Sequence, residues 1–147
     1  MELDSLGVRD RAFRELCEVP GFDGLMRLGL RMNEVTSLKP LTRSGMPALR
    51  FLDLSWNRLS GEVVANFVRS EAASGLIDLD LSHTEVNDDF AAALAGCDHL
   101  GSLVAVRLGH THVTDRGVRE LLNSPKLPRL RHVFREEADA AWTEAVG

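Results

Sequence analysis

The chain has only two cysteines, Cys17 and Cys97, 80 positions apart. That spacing gives neither the disulfide framework of a small secreted scaffold nor the closely set ligands of a zinc site. A reducing intracellular compartment, the cytoplasm, is the expectation. No run of eighteen apolar residues occurs, so no membrane-spanning helix is expected. The opening MELDSLGVRDRAF carries acids and arginines where a secretory leader would need an apolar core. Basic charge is in deficit, since 17 Lys and Arg against 22 Asp and Glu give a formal net charge of -5. Proteins that grip phosphate backbones need clustered cations, so nucleic acid is excluded as the expected partner and a basic partner is favoured. A phosphate-cradling loop is missing as well: GFDGLMRLGL lacks both the G-x-x-x-x-G-K-[ST] spacing and a preceding strand.

What the sequence does contain is self-similarity. Four segments align: LMRLGLRMNEV from Leu25, LRFLDLSWNRL from Leu49, LIDLDLSHTEV from Leu76 and LVAVRLGHTHV from Leu103, with starts 24, 27 and 27 residues apart. Each has an apolar residue at positions 1, 4, 6 and 11. Position 9 is Asn33, Asn57, Thr84 or Thr111. The second half of the unit also repeats, with Val64, Phe67 and Val68, then Ala91, Leu94 and Ala95, then Val118, Leu121 and Leu122 at helical spacing. Ser60, Asn87-Asp88 and Thr114-Asp115 precede these stripes as helix-start signals, because their side-chain oxygens can accept from unpaired first-turn amides. The unit reads strand, turn, helix, return loop. In the 24-residue unit, TSLKPLTRSGMPA holds Pro40 and Pro47, which predicts an irregular or 3₁₀ convex side.

These residues resemble the leucine-rich repeats, whose pattern L-x-x-L-x-L-x-x-N-x-L is met nearly throughout Leu49 to Leu59. HTHVTDRGVRELL and HTEVNDDFAAALA are similar to the ribonuclease-inhibitor-like and cysteine-containing subclasses, in which Thr or Cys often replaces the Asn. The resemblance implies an α/β solenoid, with a curved parallel sheet on the concave face and helices on the convex face. It also implies a recognition scaffold acting in protein–protein interaction, not an enzyme, and it leaves the partner open. The physics agrees: one strand-helix unit cannot bury its own apolar face, whereas stacked units share a core. Leu28, Leu30, Leu52, Leu54, Leu79, Leu81, Val106 and Leu108 should fill it. The position-9 residues should satisfy backbone groups inside the turn.

The organisation is one domain over 1–147: a half repeat at 1–24, repeats at 25–48, 49–75, 76–102 and 103–129, and a degenerate repeat with a capping helix at 130–147. Val8 to Leu16 align with Val113 to Leu121, so the chain opens inside a repeat, with Met1-Glu2-Leu3 as the stub of a strand. Three readings fit that opening: a fragment of a longer solenoid, a half-repeat cap, or a partner or second copy continuing the sheet. At the far end Ala138, Ala141, Trp142 and Ala145 lie at helical spacing, with Trp142 expected to pack over the last repeat.

If positions 4 and 6 point inward, positions 3, 5 and 7 point to the concave face and position 8 to its rim. That places Arg27, Phe51, Asp78 and Ala105 in one row and Gly29, Asp53, Asp80 and Arg107 in the next. Arg31 follows at position 7, and the rim carries Met32, Trp56, His83 and His110. Like charges on adjacent rungs cost stability, which favours a functional reason for Asp53, Asp78 and Asp80 over mere solubility. Phe51 and Trp56 are of the type enriched at binding hot spots. The candidate partner-binding set is therefore Arg27, Arg31, Phe51, Asp53, Trp56, Asp78, Asp80, His83, Arg107 and His110, facing a protein with basic groups. The alternative is a stoichiometric inhibitor or regulatory subunit of a basic enzyme.

Other signals are weaker. His83, His110 and His112 come close if the rungs stack, and could share zinc with an aspartate, but rim side chains are the plainer reading. Cys97 has His99 nearby in sequence, yet a nucleophile also needs an oxyanion hole, and no catalytic residue or cofactor is assigned. Cys17 falls at a helix-stripe position and reads as a small core residue. The basic PKLPRLRHVFR segment reads as a solvated return loop.

Overall fold

Alternation of short strands and helices dominates the computed structural model, which describes residues 1–135. In chain order it contains α1 (Asp10–Cys17), β1 (Arg27–Gly29), α2 (Lys39–Ser44), β2 (Phe51–Asp53), α3 (Gly61–Val68), β3 (Asp78–Asp80), α4 (Asp88–Ala95), β4 (Ala105–Arg107), α5 (Asp115–Leu122) and β5 (His132–Phe134). The five strands form one parallel sheet in sequence order, β1-β2-β3-β4-β5. Register keeps equivalent residues together: Leu28 pairs with Leu52, Leu52 with Leu79, Leu79 with Val106 and Val106 with Val133. A return through a helix to the next parallel strand in each unit makes this an open α/β solenoid.

The seven leucines and one valine predicted to fill the interior are all buried, with exposure of 1% or less. Each fully buried side chain of this size contributes about 2 kcal/mol of apolar transfer. The position-9 residues hold the turns. Asn57 Nδ2 donates to the carbonyls of Leu30, Leu54 and Ser55, and its Oδ1 accepts from Val35 N at 3.0 Å. Thr84 and Thr111 make one bond of the same kind, to Leu81 O at 2.6 Å and Leu108 O at 2.7 Å.

Several expectations need correction. The convex side of the 24-residue unit is a short α-helix, α2, in which Pro40 sits in the first turn, where its missing N–H costs no helical bond. Ser60 and Asn87 cap their helices by accepting from Val63 N and Phe90 N. Thr114 does not cap α5. Its amide and hydroxyl instead donate to Asp88 of the preceding repeat, at 2.7 and 2.6 Å. Leu122 is 48% exposed, and the buried place against α4 goes to Gly117. A methyl group at Gly117 would lie 2.9 Å from Val113 Cγ1 and 3.2 Å from Ala91 Cβ, so the bare backbone lets the two helices close up.

The opening stub joins the sheet. Gly29 N donates to Met1 O at 2.8 Å and Leu3 N to Gly29 O at 2.8 Å, which adds a rung beside β1. Its Glu2 carboxylate folds over Gly29 and occupies the space that a side chain there would need. The proposed capping helix with Trp142 lies outside the described residues. No helix among those described is long and apolar enough to cross a membrane.

Candidate functional site

Sheet register builds the concave face directly. Arg27, Phe51, Asp78, Ala105 and His132 follow one another across the strands, as do Gly29, Asp53, Asp80, Arg107 and Phe134. Register therefore brings the predicted strand residues together in the two rows. It does not predict how deep they lie. Asp53 and Asp80 are half-buried, whereas Asp78 is 0% and Arg107 7% exposed, so these two are not the open contact residues that the strand pattern suggests.

Asp53 and Asp80 are held alike. Asp53 Oδ1 accepts from Ser55 N at 2.9 Å and Ser55 Oγ at 2.6 Å, and Asp80 Oδ1 accepts from Ser82 N at 2.9 Å. Among the described residues neither Oδ2 accepts a hydrogen bond. Burial, and then the neighbouring charge of Asp80, push the Asp53 carboxyl up to about 6 against the pull of its Ser55 bonds.

Asp78 is more extreme. Arg107 Nη2 lies 3.6 Å from its Oδ2, too far for a hydrogen bond, and neither carboxylate oxygen has a hydrogen-bond partner. Burial pushes its pKa up to about 7, and the Asp80 and Asp53 charges add to that rise, while Arg107 offsets only part of it. The Arg107 guanidinium also lies over the Phe134 ring, 4.9 Å from the centroid. At the other end of the sheet, on β1, Arg27 covers the half-buried Phe51 in the same way at 4.5 Å. Arg31 is exposed, and its amide donates to Asp4 Oδ1 at 3.1 Å.

The rim shows a feature that the strand pattern does not announce. Met32, Trp56, His83 and His110 all have left-handed backbone, with φ of 55°, 57°, 56° and 52°. A non-glycine residue pays on the order of 1 kcal/mol for this conformation. The turn requires it at every rung: Met32 N bonds Ser55 O at 3.0 Å, Trp56 N bonds Ser82 O at 2.9 Å and His83 N bonds Gly109 O at 2.8 Å, carrying the ladder past the strand ends. The side chains leave in the same direction one rung apart, and so they stack. Trp56 and His83 have ring centroids 3.6 Å apart, and His83 and His110 4.4 Å. Trp56 remains 40% exposed and Met32 47%. The recurrence of His at position 8 was the available signal, since His tolerates left-handed backbone better than most residues. His112 is exposed and outside this stack.

Among the described residues no group of three or more His, Cys, Asp and Glu is placed to hold a metal ion. Cys97 is buried, its thiol donates to Ala93 O at 3.2 Å, and burial raises its pKa. His99 bonds Val68 O at 2.9 Å and is engaged there. Burial likewise pushes the Cys17 thiol up to about 12, as suits a core residue. In the basic segment, Lys126 pairs with Asp98 at 2.8 Å and Arg131 Nη1 donates to Pro128 O at 2.8 Å, which leaves it a locally satisfied loop.

With this geometry in view, the comparisons with known proteins agree on architecture. A family model described as Leucine Rich repeat matches residues 46–62. Among solved structures, internalin C2 of Listeria monocytogenes strain 4b F2365 is similar over 90% of this chain and 49% of its own, with a TM-score of 0.65 and 23% identity. An internalin (inlF) from the same strain is similar over 80% of this chain and 36% of its own, with a TM-score of 0.50 and 20% identity. The chain thus spans about half the first structure and about a third of the second. No curated protein sequence matches it. The fold is a leucine-rich-repeat solenoid.

Proposed function

We propose that this chain is a protein-recognition module that docks a partner bearing basic groups on its concave face. Leucine-rich-repeat solenoids present such faces for binding, and nothing in the residues described here assembles a nucleophile with a base and an oxyanion hole. One observation carries the reading. Asp53 and Asp80 stand on adjacent rungs, each with one oxygen anchored by a serine and the other without a hydrogen bond among the described residues, an arrangement that costs like-charge repulsion. The exposed Trp56 and Met32 on the adjoining rim supply apolar area of the kind that hot spots use.

The eight-residue helices α3, α4 and α5 in 27-residue units support the ribonuclease-inhibitor-like or cysteine-containing subclass. Two buried free thiols support work in a reducing compartment such as the cytoplasm.

The test is a charge exchange. Wild-type chain and an Asp53→Lys/Asp80→Lys variant are immobilised, and the proteins they retain are compared at low and physiological salt. A stoichiometric basic protein retained by the wild type, lost from the variant and weakened by salt is the expected outcome. Retention of the same proteins by both would refute the concave acidic face as the docking surface.

A further inference from the structure

We infer that the partner's principal anchor is a single arginine, whose guanidinium bridges the open Oδ2 atoms of Asp53 and Asp80 while its neighbouring residue packs on Trp56. This rests on the recognition reading above and specifies the chemistry of the partner at that surface.

Three observations lead to it. First, Asp53 and Asp80 are register partners on adjacent parallel strands, which puts their α-carbons about 4.8 Å apart. With each Oδ1 already engaged by Ser55 or Ser82, the two Oδ2 atoms are left as acceptors on neighbouring rungs. A planar guanidinium presents donors along two edges and can serve both carboxylates at once, whereas an ammonium is a compact point charge with no such fork. Second, the site has negative charge at Asp78 that the described residues leave without a hydrogen bond. Asp78 is fully buried, neither of its oxygens is hydrogen-bonded, and its ionic partner Arg107 comes from the Asp53–Asp80 row one rung on. Arg107 is the cation paired with Asp78, while Asp53 and Asp80 add to the negative charge around it. A second cation placed over Asp53 and Asp80 relieves the repulsion that Asp78 feels from both.

Third, the sheet already displays the binding mode. Arg107 lies across the rungs with a carboxylate on one side and the Phe134 ring beneath it, and Arg27 lies over Phe51. Between them, Asp53 and Asp80 have an arginine beside them in the row on one side only, Arg107 next to Asp80, because position 29 on the other side is glycine. Glu2, folded over Gly29, closes the near end of this gap with another acid. The rim at Trp56 borders its open side.

The experiment uses the full chain, ¹⁵N-labelled, titrated with acetyl-arginine-methylamide and, in parallel, with the lysine and citrulline counterparts. Amide shifts centred on Ser55 and Ser82, whose N–H groups report directly on the two carboxylates, are expected with the arginine probe. The lysine probe should bind several-fold more weakly, and neutral citrulline should leave these amides unmoved. Asp53→Asn and Asp80→Asn, which keep the side-chain shape, should each reduce the arginine response at least about tenfold. Shifts spread evenly over all acidic surfaces, or equal for arginine and citrulline, would overturn the inference. The two claims fail separately: charge exchange that still abolishes partner retention, with no arginine response at Ser55 and Ser82, keeps the docking face and removes the bridging arginine. Retention unaffected by charge exchange removes the docking face itself.

Discussion

Trp56 and His83 lie face to face, 3.6 Å between ring centroids and 17° between planes, and each projects from a residue in left-handed backbone. The stack and the strain have one origin, a turn that must reverse at the same place on every rung. The usual order of substitutions should therefore invert at this position. His83→Gly loses the stack but relieves the conformation, whereas His83→Ala loses the stack and keeps the strain. Glycine is expected to be the more stable of the two variants by about 1 kcal/mol in urea unfolding. A more stable alanine variant would mean that the turn is not left-handed in solution.

Stability and binding should respond to pH with opposite signs. Asp53 at about 6 and Asp78 at about 7 both lie above the ordinary aspartate value near 3.9 of an unfolded chain. Between these limits the folded state binds more protons than the unfolded one, so stability falls as pH rises from about 4 to about 7 and is highest at the acid end of that window. Asp53→Asn should flatten this dependence, as read from denaturation midpoints at a series of pH values. Partner affinity should move the other way: below about 6 the Asp53 carboxyl takes up its proton and a cationic partner loses an acceptor.

Asn57 is the more deeply buried of the two turn asparagines, 4% exposed and bonded through both ends of its amide to four backbone groups. Asn57→Ala removes four bonds and takes away the partner of the Leu54 carbonyl and the Val35 amide, while Leu30 O keeps Asn33 Nδ2 and Ser55 O keeps Met32 N; it should cost about 3 kcal/mol, against about 1 kcal/mol for Thr84→Ala, which removes a single bond. Denaturant midpoints at matched slopes would compare them. Equal costs would show that the turns are held by something other than these side chains.

Gly117→Val tests the contact between α4 and α5. Helix preference alone would reward replacing the glycine, but the added side chain would press on Val113 and Ala91 and sit 2.5 Å from Asp88 Oδ1 before any branch is placed. Overpacking of this kind costs about 1 to 3 kcal/mol. The bond from Asp88 to Thr114 should loosen with it, observable as faster exchange of the Thr114 amide.

The solenoid, its interior leucines and the Asn and Thr ladder were legible because each rests on strict period. Leu52 or Leu79 can occupy only one side of a strand, and register then repeats the choice at every rung. Pro40 misled because proline is disruptive in a helix interior and harmless in a first turn, and the sequence does not say where the turn begins. Thr114 misled because its partner, Asp88, belongs to the neighbouring repeat. Alternation assigns Asp78 and Arg107 to the concave rows, but depth depends on what lies beside them across three strands, which no single segment records. The stacking of Trp56, His83 and His110 was hidden for the same reason, since it arises from a backbone twist shared by separate repeats.

Because every unit contributes its outward residues at a fixed pitch, the surface behaves like movable type. Exchanging residues 76–102 for another 27-residue block would transplant Asp78, Asp80 and His83 as a set while the flanking rungs kept their own lettering. Evolution, or a designer, can thus rewrite what the molecule reads one line at a time without recasting the scaffold that holds the text.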